Sequence, residues 1–434
     1  MILRQAYIRR LRDDLDRWAQ KGLVDPARIP AILKEAEGTG SERGLTAVLA
    51  VLGVVLLGFA AMSFVAANWA EMSKLAKLAI LFGGMWAALG TGIWQIRANG
   101  KDHPIYAEAA ILLAVILFGV AVMLIGQMYH VGGEYSGGLM LWMAGALVTA
   151  WLAPSRAALA LAIILAPVWS WAAIVDDPSF LHWEFVIPMS LAGLLVTGLG
   201  WRAGAHLLLL AWGAWAALSG VWLASELWWS GPEVFALATL FGLTMFAKGH
   251  NPMRLVAPFE DALIHWGLLA AFGSAFFMLL SSGDDGVTPE FGWVVLVFAV
   301  LTIATAAYAG LRRALAVPDL AAFVALALFT TLYPYLLAAN MTMEWLLVVV
   351  LFAVGVWAVS YGTRAHDRFS INLGFTLFAA MAIYVYLRTV GTLLDTAAFF
   401  VVGGVLLIGL SIALSRIRSQ IMSQATATGG EDGQ

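Results

Sequence analysis

Fourteen apolar stretches separated by short polar segments run from residue 45 to residue 414 of the chain. At 1.5 Å rise per helical residue, about 20 residues cross a hydrocarbon core of about 30 Å, and most of these stretches reach that length. They lie at 45–67, 75–96, 107–128, 137–153, 157–175, 184–200, 204–224, 232–248, 262–281, 291–310, 316–338, 345–361, 370–387 and 394–414. Lipid offers no partner for backbone N–H and C=O groups, so each spanning segment must be helical; the period-two alternation of a barrel is absent. The pattern therefore predicts an all-α fold, a polytopic transmembrane helical bundle of about 14 spans. The spans 137–153, 184–200 and 232–248 are short, and tilting, re-entry or burial among neighbours would each accommodate them.

Residues 1–44 form the sizeable polar region. Leu3, Tyr7, Ile8, Leu11, Leu15 and Trp18 recur at helical spacing opposite a charged face, and Gly22 ends that helix. Asp25-Pro26 then reads as the cap and first turn of a second short helix carrying Ile29, Ile32 and Leu33. The expectation is a cytoplasmic amphipathic hairpin that packs on the bundle or on headgroups, or that docks a protein partner. Gly38-Thr39-Gly40-Ser41 is glycine-rich but follows no strand and misses the phosphate-loop spacings, so it is read as linker. Residues 415–434 read as a disordered cytoplasmic tail.

Charge fixes an orientation. Of the 24 Lys and Arg residues, 21 fall in alternate segments beginning with 1–44, and only Lys74, Lys77 and Arg388 fall in the others. Basic residues near short loops resist translocation, so both termini are predicted to be cytoplasmic. The outer segments then hold 12 acidic and three basic residues, a net charge of -9, against 15 acidic and 21 basic inside, a net of +6. Composition agrees with lipid as the main solvent: 62% of residues are hydrophobic, 12% are charged, and the mean hydropathy is +0.87. The absence of cysteine excludes disulfides, thiolate metal sites and cysteine nucleophiles.

Several local patterns resemble one bacterial family. The Leu15, Trp18, Gly22-Leu23 pattern, Phe64-Val65-Ala66-Ala67-Asn68-Trp69 with Lys74 and Lys77, and Gly126-Gln127-Met128-Tyr129-His130 followed by Trp142 are similar to the membrane-protein family called domain of unknown function 2157. The likeness covers roughly the first 170 residues, and Tyr384 to Leu414 looks like the end of such proteins. It implies a bacterial inner-membrane location and a helical bundle with a small cytoplasmic N-terminal region. No activity and no catalytic residue come with it.

Chemistry must then be sought among polar residues that the bilayer tolerates. A charge at a helix centre costs about 2.5 to 3.5 kcal/mol on insertion scales, and no Asp, Glu, Lys or Arg lies there. Lys77, Glu108, Glu184, Asp319, Arg388 and Asp395 fall near span ends, where headgroups or water are in reach; His206 and His265 read as interfacial. Coupling through a central carboxylate loses support, whereas sodium coupling through backbone carbonyls would leave no such trace. Polar residues gather instead at the predicted outer ends: Asn68, Trp69, Glu71, Gln127, Tyr129, His130, Glu134, Arg388 and Asp395. These are the candidate ligand-binding residues, in which Gln127, Tyr129 and His130 would orient a ligand and Arg388 would pair with Glu71, Glu134 or an anionic headgroup. The bland alternative is an interfacial aromatic belt with solvated loop charges. His130 and Glu134 are four apart, but Gly132 and Gly133 interrupt the helix a metal pair would need, so no metal site is assigned.

Pro167, Pro188 and Pro334 fall in the outer parts of their spans, where each would free a carbonyl and kink or break the helix. The longest outer loop, 282–290, leaves no room for a catalytic domain, and no hydrolase, zincin or P-loop motif is present; no catalytic residue and no cofactor are assigned. Two function classes remain ahead of a membrane-embedded transferase. One is a transporter or lipid-handling protein with a shallow polar site on the extracytoplasmic side and a small solute or lipid as ligand. The other is a scaffold or sensor whose N-terminal hairpin engages cytoplasmic protein partners. Nucleic acid is not an expected partner.

Overall fold

In the computed structural model the described residues are 49–60, 73–99, 105–129, 135–178, 181–250, 258–281, 287–339 and 343–389, with scattered positions between 12 and 32 and residue 63. Among them all regular structure is helical. After a helical stretch at Leu49–Ala60, the main helices are α1 (Lys74–Asn99), α2 (Ile105–Tyr129), α3 (Tyr135–Leu152), α4 (Arg156–Asp176), α5 (Val186–Gly198) and α6 (Arg202–Glu226). There follow α7 (Gly231–Gly249), α8 (Glu260–Leu280), α9 (Phe291–Leu311), α10 (Val317–Ala339), α11 (Glu344–Arg364) and α12 (Arg368–Thr389). Ten of these described helices are long and apolar enough to cross a membrane. Of the three short spans, 137–153 falls on one of the ten. The segment 184–200 is a 3-10 turn at Trp183–Phe185 followed by the short α5, and 232–248 corresponds to the 19-residue α7, which is not among the ten. The span 394–414, the tail, the glycine-rich linker and most of the N-terminal hairpin lie outside the described residues. Within the N-terminal region, Asp25 caps a 3-10 turn at Pro26–Arg28 by accepting from the Ala27 amide at 3.0 Å.

The chain divides into two compact units, one of residues 1–227 with 252–262 and one of 228–251 with 263–434. In the first, α4 packs against α2, α3, α5 and α6, and its face of Ala158, Leu159, Ala162, Ile163 and Ala166 is fully buried. Three alanines on that face let neighbouring backbones approach, the route to close packing where lipid is as apolar as the side chains. The α2–α3 contact is keyed by Trp142, which donates from Nε1 to the Val115 carbonyl at 2.9 Å. Its ring lies where a side chain at position 119 would be: a Cβ on Gly119 would come within 2.1 Å of Trp142. In the second unit α7 packs on α9 and α10, α10 on α11, and α11 on α12. Helices α7 and α8 cross backbone to backbone at Gly242 and Gly267, where a Cβ on either would meet main-chain nitrogen at 2.5 Å. Hydroxyl pairs tie these helices: Thr239 to Ser274 at 3.0 Å and Thr244 to Thr302 at 2.8 Å, each also bonded to a carbonyl of its own helix.

Helix α4 runs on through Pro167 and α10 through Pro334, while Pro188 falls in the first turn of α5. A first-turn proline lacks only a donor the helix does not use. Tight packing around the two interior prolines holds the helix despite the lost bond: Tyr333 and Pro334 are buried, as are Ala166 and Trp169 beside Pro167.

Candidate functional site

The start of α1 and the end of α2 build one polar corner in the first unit. Lys74 Nζ donates to the Met128 carbonyl at 3.1 Å and lies 4.9 Å from the centre of the Tyr129 ring. That carbonyl belongs to the last turn of α2, where main-chain acceptors are unused and the helix dipole favours a cation. Gln127 and Tyr129 are both exposed beside it. The structure thus brings Tyr129 and Lys74 together, with Gln127 exposed two residues earlier on α2. Asn68, Trp69, Glu71, His130, Glu134 and Asp395 lie outside the described residues. Lys77, expected to reach headgroups, is instead buried with 4% exposure, because it faces inward one turn along α1 from Lys74.

Arg388 closes the last turn of α12 in the second unit. Its Nη2 donates to Glu344 Oε2 at 2.7 Å and its Nε to the Tyr384 hydroxyl at 3.2 Å. Glu344, at the first turn of α11, was not among the candidates. Its signal in sequence was its place one residue before an apolar run, on the same predicted side as Arg388.

The other acids fasten helix ends. In the first unit Glu108, from the first turn of α2, accepts from the Ser155 hydroxyl and from the amides of Arg156 and Ala157 at 3.1 and 3.0 Å, capping α4 from outside. Asp176 accepts from the Ser136 amide at the start of α3, at 3.2 Å. In the second unit Glu233 is fully buried at the start of α7. It forms a capping box with Ser230 and accepts the Thr288 amide and hydroxyl at 2.7 and 2.8 Å. Four donors, the amides and hydroxyls of Ser230 and Thr288, thus surround its oxygens at the positive end of the helix.

At the opposite end of α11 from Glu344 a larger polar cluster is assembled. Asp319, 4% exposed, accepts from Trp357 Nε1 at 2.9 Å and from Arg364, whose Nη1 donates to the Ser360 hydroxyl at 2.6 Å. Asp319 was expected to reach headgroups or water. It is drawn inward because two donors from α11 converge on it. His250, capping α7, meets the Phe246 carbonyl through Nδ1 at 2.9 Å and the Tyr361 hydroxyl through Nε2 at 2.8 Å. A carbonyl can only accept, so Nδ1 carries the proton and Nε2 accepts from Tyr361. Burial pushes the His250 pKa down, more than the Phe246 carbonyl and Asp319 raise it. Asp367 accepts from the Ser370 hydroxyl at 2.6 Å and from the amides of Phe369 and Ser370, with His265 Nε2 3.4 Å away. Burial opposes ionisation there, but the Ser370 hydroxyl, the amides and His265 outweigh it and hold the carboxyl below its ordinary range.

In the first unit His182 rests edge-on against Trp169, with ring centres 4.3 Å apart, and its carbonyl accepts from Trp215 Nε1 at 2.8 Å. Burial lowers its pKa, against a smaller opposing effect of Glu184. Nothing in sequence spacing marked His182 or His250, since their partners lie 33 and 111 residues away. Among the described residues no three His, Asp or Glu side chains are placed to hold a metal ion.

Long apolar helices whose charged groups are confined to their ends, with hydroxyls and glycines between, define a multi-pass helical membrane protein. Residues 16–159 match the family model described as predicted membrane protein (DUF2157). That stretch includes α1, α2, α3 and the Lys74–Tyr129 corner; the likeness of Tyr384 to Leu414 lies beyond it. Neither the curated proteins nor the solved structures contain a match.

Proposed function

We propose that the chain is an inner-membrane transporter or lipid-handling protein with a shallow polar site on its extracytoplasmic side. The loop charge bias directs the end of α2, the start of α1 and the end of α12 outward. The observation that carries the reading is the Lys74–Tyr129 corner. A lysine there is held by a helix-end carbonyl and an aromatic face, where its ammonium could also meet an anionic group. Gln127 and Tyr129 stand exposed beside it and offer hydrogen bonds. Asn68, Trp69, Glu71, His130 and Glu134 belong to the same proposed site by their place in the topology, and Asp395 goes with Arg388 in the second unit. In the second unit, Arg388 would make a separate anion contact by exchanging Glu344 for a ligand.

Mass spectrometry of small molecules retained by the full chain, extracted in mild detergent, tests this. A bound solute or lipid should be retained by the natural chain and be depleted at least tenfold in the Gln127→Ala/Tyr129→Ala/Arg388→Ala variant at equal expression. An identical bound complement in both would end the proposal.

A further inference from the structure

Helices α11 and α12 leave an apolar groove of about 300 Å³, lined by Gly355, Val356, Val359, Ser360, Gly374 and their neighbours Phe375 and Phe378. The two glycines let the helices touch, since a Cβ on Gly374 would lie 2.8 Å from the Gly355 carbonyl, and the larger residues then stand around the gap. Ser360 is the polar side chain of the lining. Its hydroxyl accepts from Arg364 Nη1, so the guanidinium is fixed one helical turn from the groove, between the groove and the end of the helix. The far lining residue, Gly355, lies nine residues along α11, or about 13 Å at helical rise.

The turn that joins the two helices at this end carries Arg364, His366 and Arg368. Asp319 joins it to the start of α10, just after Arg312 and Arg313. Of the two acids there, Asp319 is buried under Arg364, and Asp367 is engaged by Ser370, Phe369 and His265. Both carboxylates are thus engaged, and among the described residues Arg368, exposed at the start of α12, pairs with neither, which leaves a cation beside an apolar slot. Water gains nothing in a slot lined almost wholly by carbon, which suits an acyl chain instead.

We infer that the α11–α12 groove binds one acyl chain of an anionic phospholipid, with Arg364 and Arg368 at the phosphate. Basic side chains beside a membrane surface attract anionic headgroups, and the groove sets the depth at which the chain enters. The site is at the opposite end of α11 from Glu344 and does not depend on the proposed outer site.

The test uses the full chain in nanodiscs doped with phosphatidylglycerol or phosphatidylcholine, each carrying a photoreactive diazirine on one acyl chain. Adducts should map to residues 355–360 and 374–378, with phosphatidylglycerol favoured. Val356→Trp, at an exposed groove wall, should reduce those adducts about tenfold while adducts elsewhere persist. Arg368→Gln should cut the preference for phosphatidylglycerol about fivefold, the equivalent of about 1 kcal/mol per basic residue at a membrane surface. Equal labelling by both lipids, no adduct in the groove, or cross-linking of position 356 to a second copy of the chain would each overturn the inference.

Discussion

Two arginine–carboxylate pairs stand at opposite ends of α11 and are built alike. Arg364 ends α11 and reaches Asp319 in the first turn of α10; Arg388 ends α12 and reaches Glu344 in the first turn of α11. Each arginine also bonds a hydroxyl four residues earlier in its own helix, Ser360 or Tyr384. In both, the cation lies at a helix C-terminus and the anion at a neighbouring N-terminus, where the dipoles favour them. The surroundings differ. The two arginines are similarly open, Arg364 at 46% and Arg388 at 52% exposed, but the Asp319 side chain is 6% exposed and takes a second donor, Trp357, beside the His250–Tyr361 pair, whereas Glu344 is 16% exposed. A carboxylate closed in by two donors from one helix belongs to the scaffold. A pair that water or a ligand can reach can exchange partners.

The largest expected effect is at the buried carboxylate of Asp319. Asp319→Ala leaves Arg364 and the Trp357 indole without their acceptor and should destabilise the fold by about 3 kcal/mol, seen as a lowered melting temperature in detergent. Asp319→Asn keeps an acceptor for Trp357 and should lose less. If both variants melted like the natural chain, the buried pair would not be structural. Glu233→Ala, which strips the Thr288 and Ser230 donors at the start of α7, should cost about 2 kcal/mol by the same measurement.

A smaller effect concerns pH. His250 and His182 both have lowered pKa values in the folded chain, so the stability they lend is complete above the ordinary histidine value of 6.5 and is lost as pH falls below it. Melting temperature should therefore drop between pH 7 and pH 5, and His182→Gln/His250→Gln should flatten that slope. Asp367, also lowered, lends stability that persists until pH falls through the folded value, below 3.8. A slope unchanged by the double variant would exclude the histidines as its source. The smallest stability effect is at the open pair: Arg388→Ala should cost no more than about 1 kcal/mol while depleting any bound ligand. A loss as large as that of Asp319→Ala would erase the contrast between the two pairs.

Helices were legible in the sequence because an apolar run of span length has few alternatives in lipid. Glu233 was legible in principle, since Ser230-x-x-Glu233 is a capping box ahead of an apolar run. The pairing of ends was not. Asp319, Glu108 and Lys77 each fall near a span end, and proximity to the interface alone suggests solvation. Asp319 and Glu108 are drawn in by donors on another helix, which hydropathy does not encode. Glu344 was missed for the same reason, although Arg388 was singled out from charge alone. Trp142 and Gly119 show the complementary limit: both residues were visible, but not that one fills the space the other leaves.

The absence of cysteine gives a clean background for the most direct test of the central claim, that the Lys74–Tyr129 corner faces outward and the Arg364–Arg368 turn faces the cytoplasm. Single cysteines at Tyr129 and His366, both exposed, would be reacted with a membrane-impermeant maleimide in intact cells with a permeabilised outer membrane and again after lysis. The account predicts labelling of position 129 before lysis and of position 366 only after it. Labelling of both from the same side, or in the reverse order, would contradict it.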